Sequence, residues 1–193
     1  MKKSIFLMIA SAVLSIQSYC QSLPKVQIET NPGEIIVVID TVNAPVTGKN
    51  FLKHVARGSY NDAVFYRVVR MDNQPNNDVK IEVIQGGIYS DEAIDKITPI
   101  RHETTTETGL KHLDGTFSMA RMEPGTASTE FFICVGNQPE LDFGGKRNPD
   151  GQGFAAFGQV VKGMDVVCKI QQQKDEAQML VEKVKIMGME LLK

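Results

Sequence analysis

Along most of this chain apolar and polar positions alternate in short runs, a period that fits strands better than helices. Val26 to Thr30 and Glu34 to Asp40 are rich in β-branched residues, and Asn31-Pro32-Gly33 between them has the chemistry of a tight turn. The pair is predicted to be an antiparallel hairpin. Further strands are predicted over Val64 to Val69, Ile81 to Ile84, Gly115 to Ala120, Phe131 to Val135, Ala155 to Val160, and from Val181 to about Leu191. Two stretches change period. One opens at Ala44-Pro45, carries Phe51, Leu52 and Val55 as an apolar stripe and stops at Arg57-Gly58. The other runs from Gly163 to Gln171, with Met164, Val167 and Ile170 at helical spacing. Many short strands, two helices and Gly-rich turns fit a mainly β fold, a closed antiparallel barrel with helices at its ends. The pattern alone fits a sandwich equally well.

Two details of the pattern bear on chemistry. Alternation puts Phe65, Arg67 and Val69 on one strand face. An arginine inside Val64-Phe65-Tyr66-Arg67-Val68-Val69 costs desolvation unless it is paired or faces a wet groove; an ordinary outward-facing residue also satisfies the pattern. Phe131-Phe132 places one ring on each side of its strand, so one can be core while the other lines a pocket.

The start of the chain is different in kind. Lys2 and Lys3 precede a mostly apolar run from Ile5 to Ile16, and Ser18, Tyr19 and Cys20 follow. This layout is that of a secretory signal peptide over residues 1–20, with a single domain over 21–193 and a periplasmic or secreted destination. A buried N-terminal helix and a lipid anchor on Cys20 are the alternatives. The run is too short for a comfortable membrane span. Cys134 and Cys168 sit in apolar segments and are expected to be free, buried thiols.

The 193 residues are 42% hydrophobic and 23% charged, with a net charge of -2, which leaves no basic field for nucleic acid. Three histidines are present. His102-Glu103 opens like a zinc-protease helix, but the partner position holds Thr106 and a threonine run is poor helix material. There is no nucleophile elbow, phosphate loop or dinucleotide fingerprint, and the glycines between Gly144 and Gly153 read as loop punctuation.

Five segments then fall into a recognisable order: Phe65-Tyr66-Arg67-Val68-Val69, Gln85-Gly86-Gly87, Gly115 to Arg121, Ser128-Thr129-Glu130-Phe131-Phe132-Ile133, and Phe157-Gly158-Gln159-Val160. Together they resemble the signature blocks of the cyclophilins, over nearly all of the chain from Val26 onward. The resemblance implies an eight-stranded antiparallel barrel capped by two helices, and peptidyl-prolyl cis-trans isomerisation in the folding of exported proteins. A non-catalytic proline-binding or chaperone module on the same fold is the alternative. By resemblance, Arg67 is the catalytic arginine, Phe132 the floor of the proline pocket, and Gln85 a contact to the substrate backbone. Val83, Leu141 and Phe154 complete the pocket wall, and Ala120 and Arg121 line the neighbouring groove. Glu130 replaces the family's glutamine, where its charge would orient Arg67 or compete for it. The family implies no cofactor, no metal, proline-containing polypeptides as partners, and a monomer. The connection from Val69 to Gln85 is longer than usual and polar around Asp72 to Asp78, which predicts a long hairpin loop whose removal spares activity on short peptides. Glu82 falls where the family has an aromatic residue.

Overall fold

In the computed structural model, which describes residues 22–192, the first hairpin forms as its turn chemistry directs. Lys25–Thr30 (β1) and Gly33–Ile39 (β2) pair antiparallel, with Ile28 opposite Ile35. The expected signal segment and Cys20 lie outside the described residues. Val64–Val69 (β3), Val83–Gly87 (β4), Thr116–Met119 (β5), Phe131–Cys134 (β6), Ala155–Lys162 (β7) and Met179–Leu192 (β9) complete a ring in the order β1-β2-β7-β5-β6-β4-β3-β9, closed by β9 against β1. Every pairing in it is antiparallel. Asp175–Glu176 (β8) is a two-residue arm on β9. The barrel is therefore the eight-stranded one expected, and closure removes its long edges.

The expected helices are Pro45–Ala56 (α1) and Met164–Gln171 (α4). Between them lie two short ones, Asp91–Asp95 (α2) and Thr105–Thr108 (α3). Helix α1 ends where Gly58 takes a φ of 68°, with Ser59 N–H bonding the His54 carbonyl and Gly58 N–H that of Val55. Its start has no side-chain cap of its own. Glu103 supplies one from 56 residues away: the buried carboxylate accepts from the backbone N–H of Val46 (3.1 Å) and Thr47 (2.8 Å) and from the Thr47 hydroxyl (2.7 Å). A carboxylate there satisfies orphan donors and meets the positive end of the helix.

Phe51 carries α1 into the barrel. Its ring lies 5.0 to 6.0 Å from those of Tyr60, Phe117, Phe131 and Phe157. Helix α4 closes against β2, β3 and β4 through Val166, Val167 and Ile170.

Four expectations are corrected. Cys134 is buried but Cys168 is exposed, because α4 turns Val167 inward and its neighbour outward. The threonine run does form a helical turn, since Thr104 and Glu107 cap each other reciprocally at its start. The fourth strand begins at Val83 rather than Ile81. Phe65 and Arg67 do not share a face. A bulge at Tyr66 shifts the register between them, so Phe65 enters the barrel core while Arg67 turns to the outside.

Candidate active site

Cross-strand pairing assembles a row on the outer face of the sheet. Arg67 lies opposite Gln85, Gln85 opposite Phe132, and Phe132 opposite Ser118. Directly paired residues point the same way, so three of these side chains converge from three different strands. Around them a second apolar cluster, separate from the barrel core, joins Val69, Ile81, Val83, Phe132, Cys134 and Leu141, with Ala120 and Phe154 against it.

The cluster lines a cavity of about 280 Å³. Phe132 is its floor, 5% exposed, with Phe154 edge-on at 5.3 Å and His112 stacked behind at 5.9 Å. His112 is itself held at both ring nitrogens, by Asp142 (2.8 Å) and by Ser118 (3.0 Å). The carboxylate accepts only, so Nδ1 carries the proton and Nε2 accepts from the Ser118 hydroxyl. Burial pushes the imidazole below its ordinary pKa against the pull of Asp142, which keeps it neutral. Ser118 is fully buried, so this serine–histidine–aspartate chain braces the floor and offers no nucleophile.

Arg67 is fixed from two sides. Nη1 donates to Gln85 Oε1 at 3.0 Å, and Nε (3.1 Å) and Nη2 (2.5 Å) both donate to Gln178 Oε1. Gln85 in turn donates to the Tyr66 hydroxyl at 2.7 Å. Gln178 sits at the β8–β9 turn with φ 72°, its N–H on Asp175 and its side-chain amide donating to the Asn73 carbonyl. Both partners of the guanidinium are neutral. Burial moves Arg67 down from its usual pKa, but an arginine stays charged over the accessible range.

The other expected residues divide. Val83, Leu141 and Phe154 line the cavity as implied. Ala120, Arg121 and Gln85 lie between it and an adjoining groove whose wall includes Tyr66, Tyr89, Ile94 and Glu130. The Arg121 head group is already committed: it grips Asp150 with two bonds (2.8 and 3.0 Å) and donates to the Gly153 carbonyl, bracing the loop that follows Leu141. Glu130 neither orients Arg67 nor competes for it. Its carboxylate accepts from the backbone N–H of Ile88 (2.7 Å), against Gly87 and the Tyr66 hydroxyl, and burial raises its pKa. The long connection from β3 to β4 is no free arm. Gln74 within it is 1% exposed and bonds the carbonyls of Arg70 and Ile81.

Sequence reasoning missed Gln178, Gln74 and Arg147, all of which act through contacts between segments distant in the chain. No local signal marks them.

Comparison with known proteins agrees with the geometry. The family model described as "Cyclophilin type peptidyl-prolyl cis-trans isomerase/CLD" matches residues 25–191. "Peptidyl-prolyl cis-trans isomerase A" of Dickeya dadantii is 38% identical over 154 residues, 78% of this chain and 73% of that protein. "Peptidyl-prolyl cis-trans isomerase B" of Escherichia coli is 38% identical over 148 residues, 75% of this chain and 82% of that protein. In fold, the chain is similar to a cyclophilin type isomerase of Cryptosporidium parvum, with a TM-score of 0.70 at 21% identity, covering 89% of this chain and 98% of that one. A second structure of that protein, in the presence of the dipeptide Ala-Pro, gives 0.69 at 22% identity, covering 88% and 99%.

Proposed function

The chain belongs to the cyclophilin family and is a peptidyl-prolyl cis-trans isomerase, and we propose that it turns X-Pro bonds in the cavity between Arg67 and Phe132, on polypeptides that fold after export. The observation that carries this reading is an apolar cavity over a braced aromatic floor, with a charged donor anchored at its rim by two side-chain carbonyls.

Rotation about an X-Pro bond must break amide resonance, a barrier of roughly 18–20 kcal/mol. No covalent step is needed, only tighter binding of the twisted state than of either planar one. Phe132, Val83 and Leu141 hold the pyrrolidine ring, which leaves the preceding carbonyl free to turn. As resonance is lost, the lone pair localises on the proline nitrogen and becomes a hydrogen-bond acceptor. Arg67 donates to it and keeps its own proton. Because Gln178 and Gln85 already hold the guanidinium, little reorganisation accompanies the reaction. We take the Ala-Pro unit as the smallest ligand for this cavity, by analogy with the Cryptosporidium relative.

The export setting rests on the sequence, on Lys2, Lys3 and the apolar run that follows. Uncatalysed prolyl isomerisation takes tens to hundreds of seconds, slow enough to limit folding in such a compartment. Among the described residues the barrel closes on itself through β9 and β1, which fits the expected monomer.

The test is exchange NMR on a short X-Pro peptide with wild type and Arg67→Ala. The variant is expected to lose about 100-fold in kcat/KM, the usual cost of removing one such donor, and to keep its fold. Unchanged turnover would assign the chemistry elsewhere.

A further inference from the structure

Arg147 lies in the same cavity as Arg67, yet the rotation step gives it no task. It stands in the loop after Leu141 and is half-buried. Its Nη1 donates to Gln74 Oε1 (3.1 Å) and to the Val79 carbonyl (2.7 Å), both neutral acceptors. Gln74 is locked to the backbone of Arg70 and Ile81, so one end of the guanidinium is anchored to a rigid brace. Among the described residues, no acceptor takes its Nε or Nη2.

Among the described residues, three arginines line this cavity and no carboxylate does. Arg121 is neutralised by its grip on Asp150. That leaves Arg67 and Arg147 as two like charges with only neutral partners, both partly desolvated, and the Arg67 charge bears on Arg147. Such an arrangement costs free energy that an anion entering the cavity would recover.

We propose that Arg147 determines specificity, selecting X-Pro substrates with a carboxylate on the C-terminal side of the proline, either an acidic side chain on the next residue or the terminal carboxylate itself. The inference rests on the reading that this cavity takes the proline ring. With the ring seated over Phe132, it is the preceding carbonyl that turns, while the following residue stays with the ring. A contact on that side persists through the rotation. It therefore binds planar and twisted states alike, lowering KM and leaving kcat nearly unchanged.

Exchange NMR on blocked Ala-Ala-Pro-Xaa-Ala peptides with Xaa as Glu, Gln or Lys tests this, together with Ala-Ala-Pro ending in a free carboxylate or an amide. Wild type is expected to prefer Glu over Gln by about fivefold in kcat/KM, carried by KM, with Lys below Gln. The preference should shrink as salt is raised. Arg147→Gln should bring the Glu-to-Gln ratio to about one, and Arg147→Lys should retain most of it. A preference confined to Glu assigns the side-chain source, and one confined to the free terminus assigns chain ends. Equal kcat/KM for the Glu, Gln and Lys peptides together with equal kcat/KM for the free-carboxylate and amide peptides in wild type overturns the proposal, as does a preference of either kind that Arg147→Gln leaves unchanged. If wild type turned over no peptide, the isomerase reading would fall on its own; chemical-shift titration of the same peptides would still measure the carboxylate preference, and equal affinities would overturn it.

Discussion

Each side chain at the pocket has its geometry set by one or two partners, and those partners are as testable as the residues they hold. Gln178 accepts twice from Arg67, so Gln178→Met keeps the bulk of the side chain and removes the acceptor. The expected result is about a tenfold loss in kcat with KM nearly constant, because a mispositioned donor weakens only the twisted state. A loss of thermal stability with normal turnover would make the contact structural. His112 gives a pH dependence. Burial holds its pKa below the ordinary 6.5, and burial does the same for His54, aided by Lys53 and Arg57. For a histidine depressed in the folded state, the unfolded chain binds the proton first. Stability is therefore full above pH 6.5 and falls as pH drops below it, toward the folded-state values. Urea midpoints measured from pH 8 down to 5 check this, and His112→Gln should flatten the slope.

At the scale of elements, α1 shows how a helix is held from outside itself. It has an apolar stripe but no cap of its own, and it relies on Phe51 among four rings and on the carboxylate of Glu103. Phe51→Ala should cost about 3–5 kcal/mol in chemical unfolding, the usual range for a large ring lost from a core. The loop from β3 to β4 carries a related prediction. Its Asn73 carbonyl receives Gln178 and its Gln74 receives Arg147, so deleting residues 73–78 should lower activity on short peptides instead of sparing it. Activity of the deletion variant equal to wild type would show the Asn73 brace on Gln178 to be dispensable. These elements also mark where sequence reading succeeds and stops. Alternation, helical spacing and turn chemistry locate the strands and both main helices, and the ordered blocks single out Arg67, Gln85 and Phe132, which the fold brings to one cavity, because those patterns are local. The bulge at Tyr66 escaped, since strict alternation assumes an unbroken register. Glu103 and Gln178 escaped because their partners lie 56 and 111 residues away, and only the closed fold brings them together.

Across the whole molecule, one sheet serves two environments: its inner face buries the aromatic core and its outer face carries the pocket. The barrel core and the proposed site thus share strands while using opposite sides of them, so Phe131 and Phe132 are adjacent in sequence yet belong to separate clusters. The ring is completed by β9 against β1, and the turn that starts β9 delivers Gln178 to Arg67. That connectivity has a temporal consequence. Strand β1 is made well before β9 and waits for it before the barrel can shut. The arginine at the pocket waits too, for a glutamine made 111 residues after it. A chain whose β9 has not yet been made is accordingly expected to be inert, and isomerase activity to begin only once that strand has paired with β1.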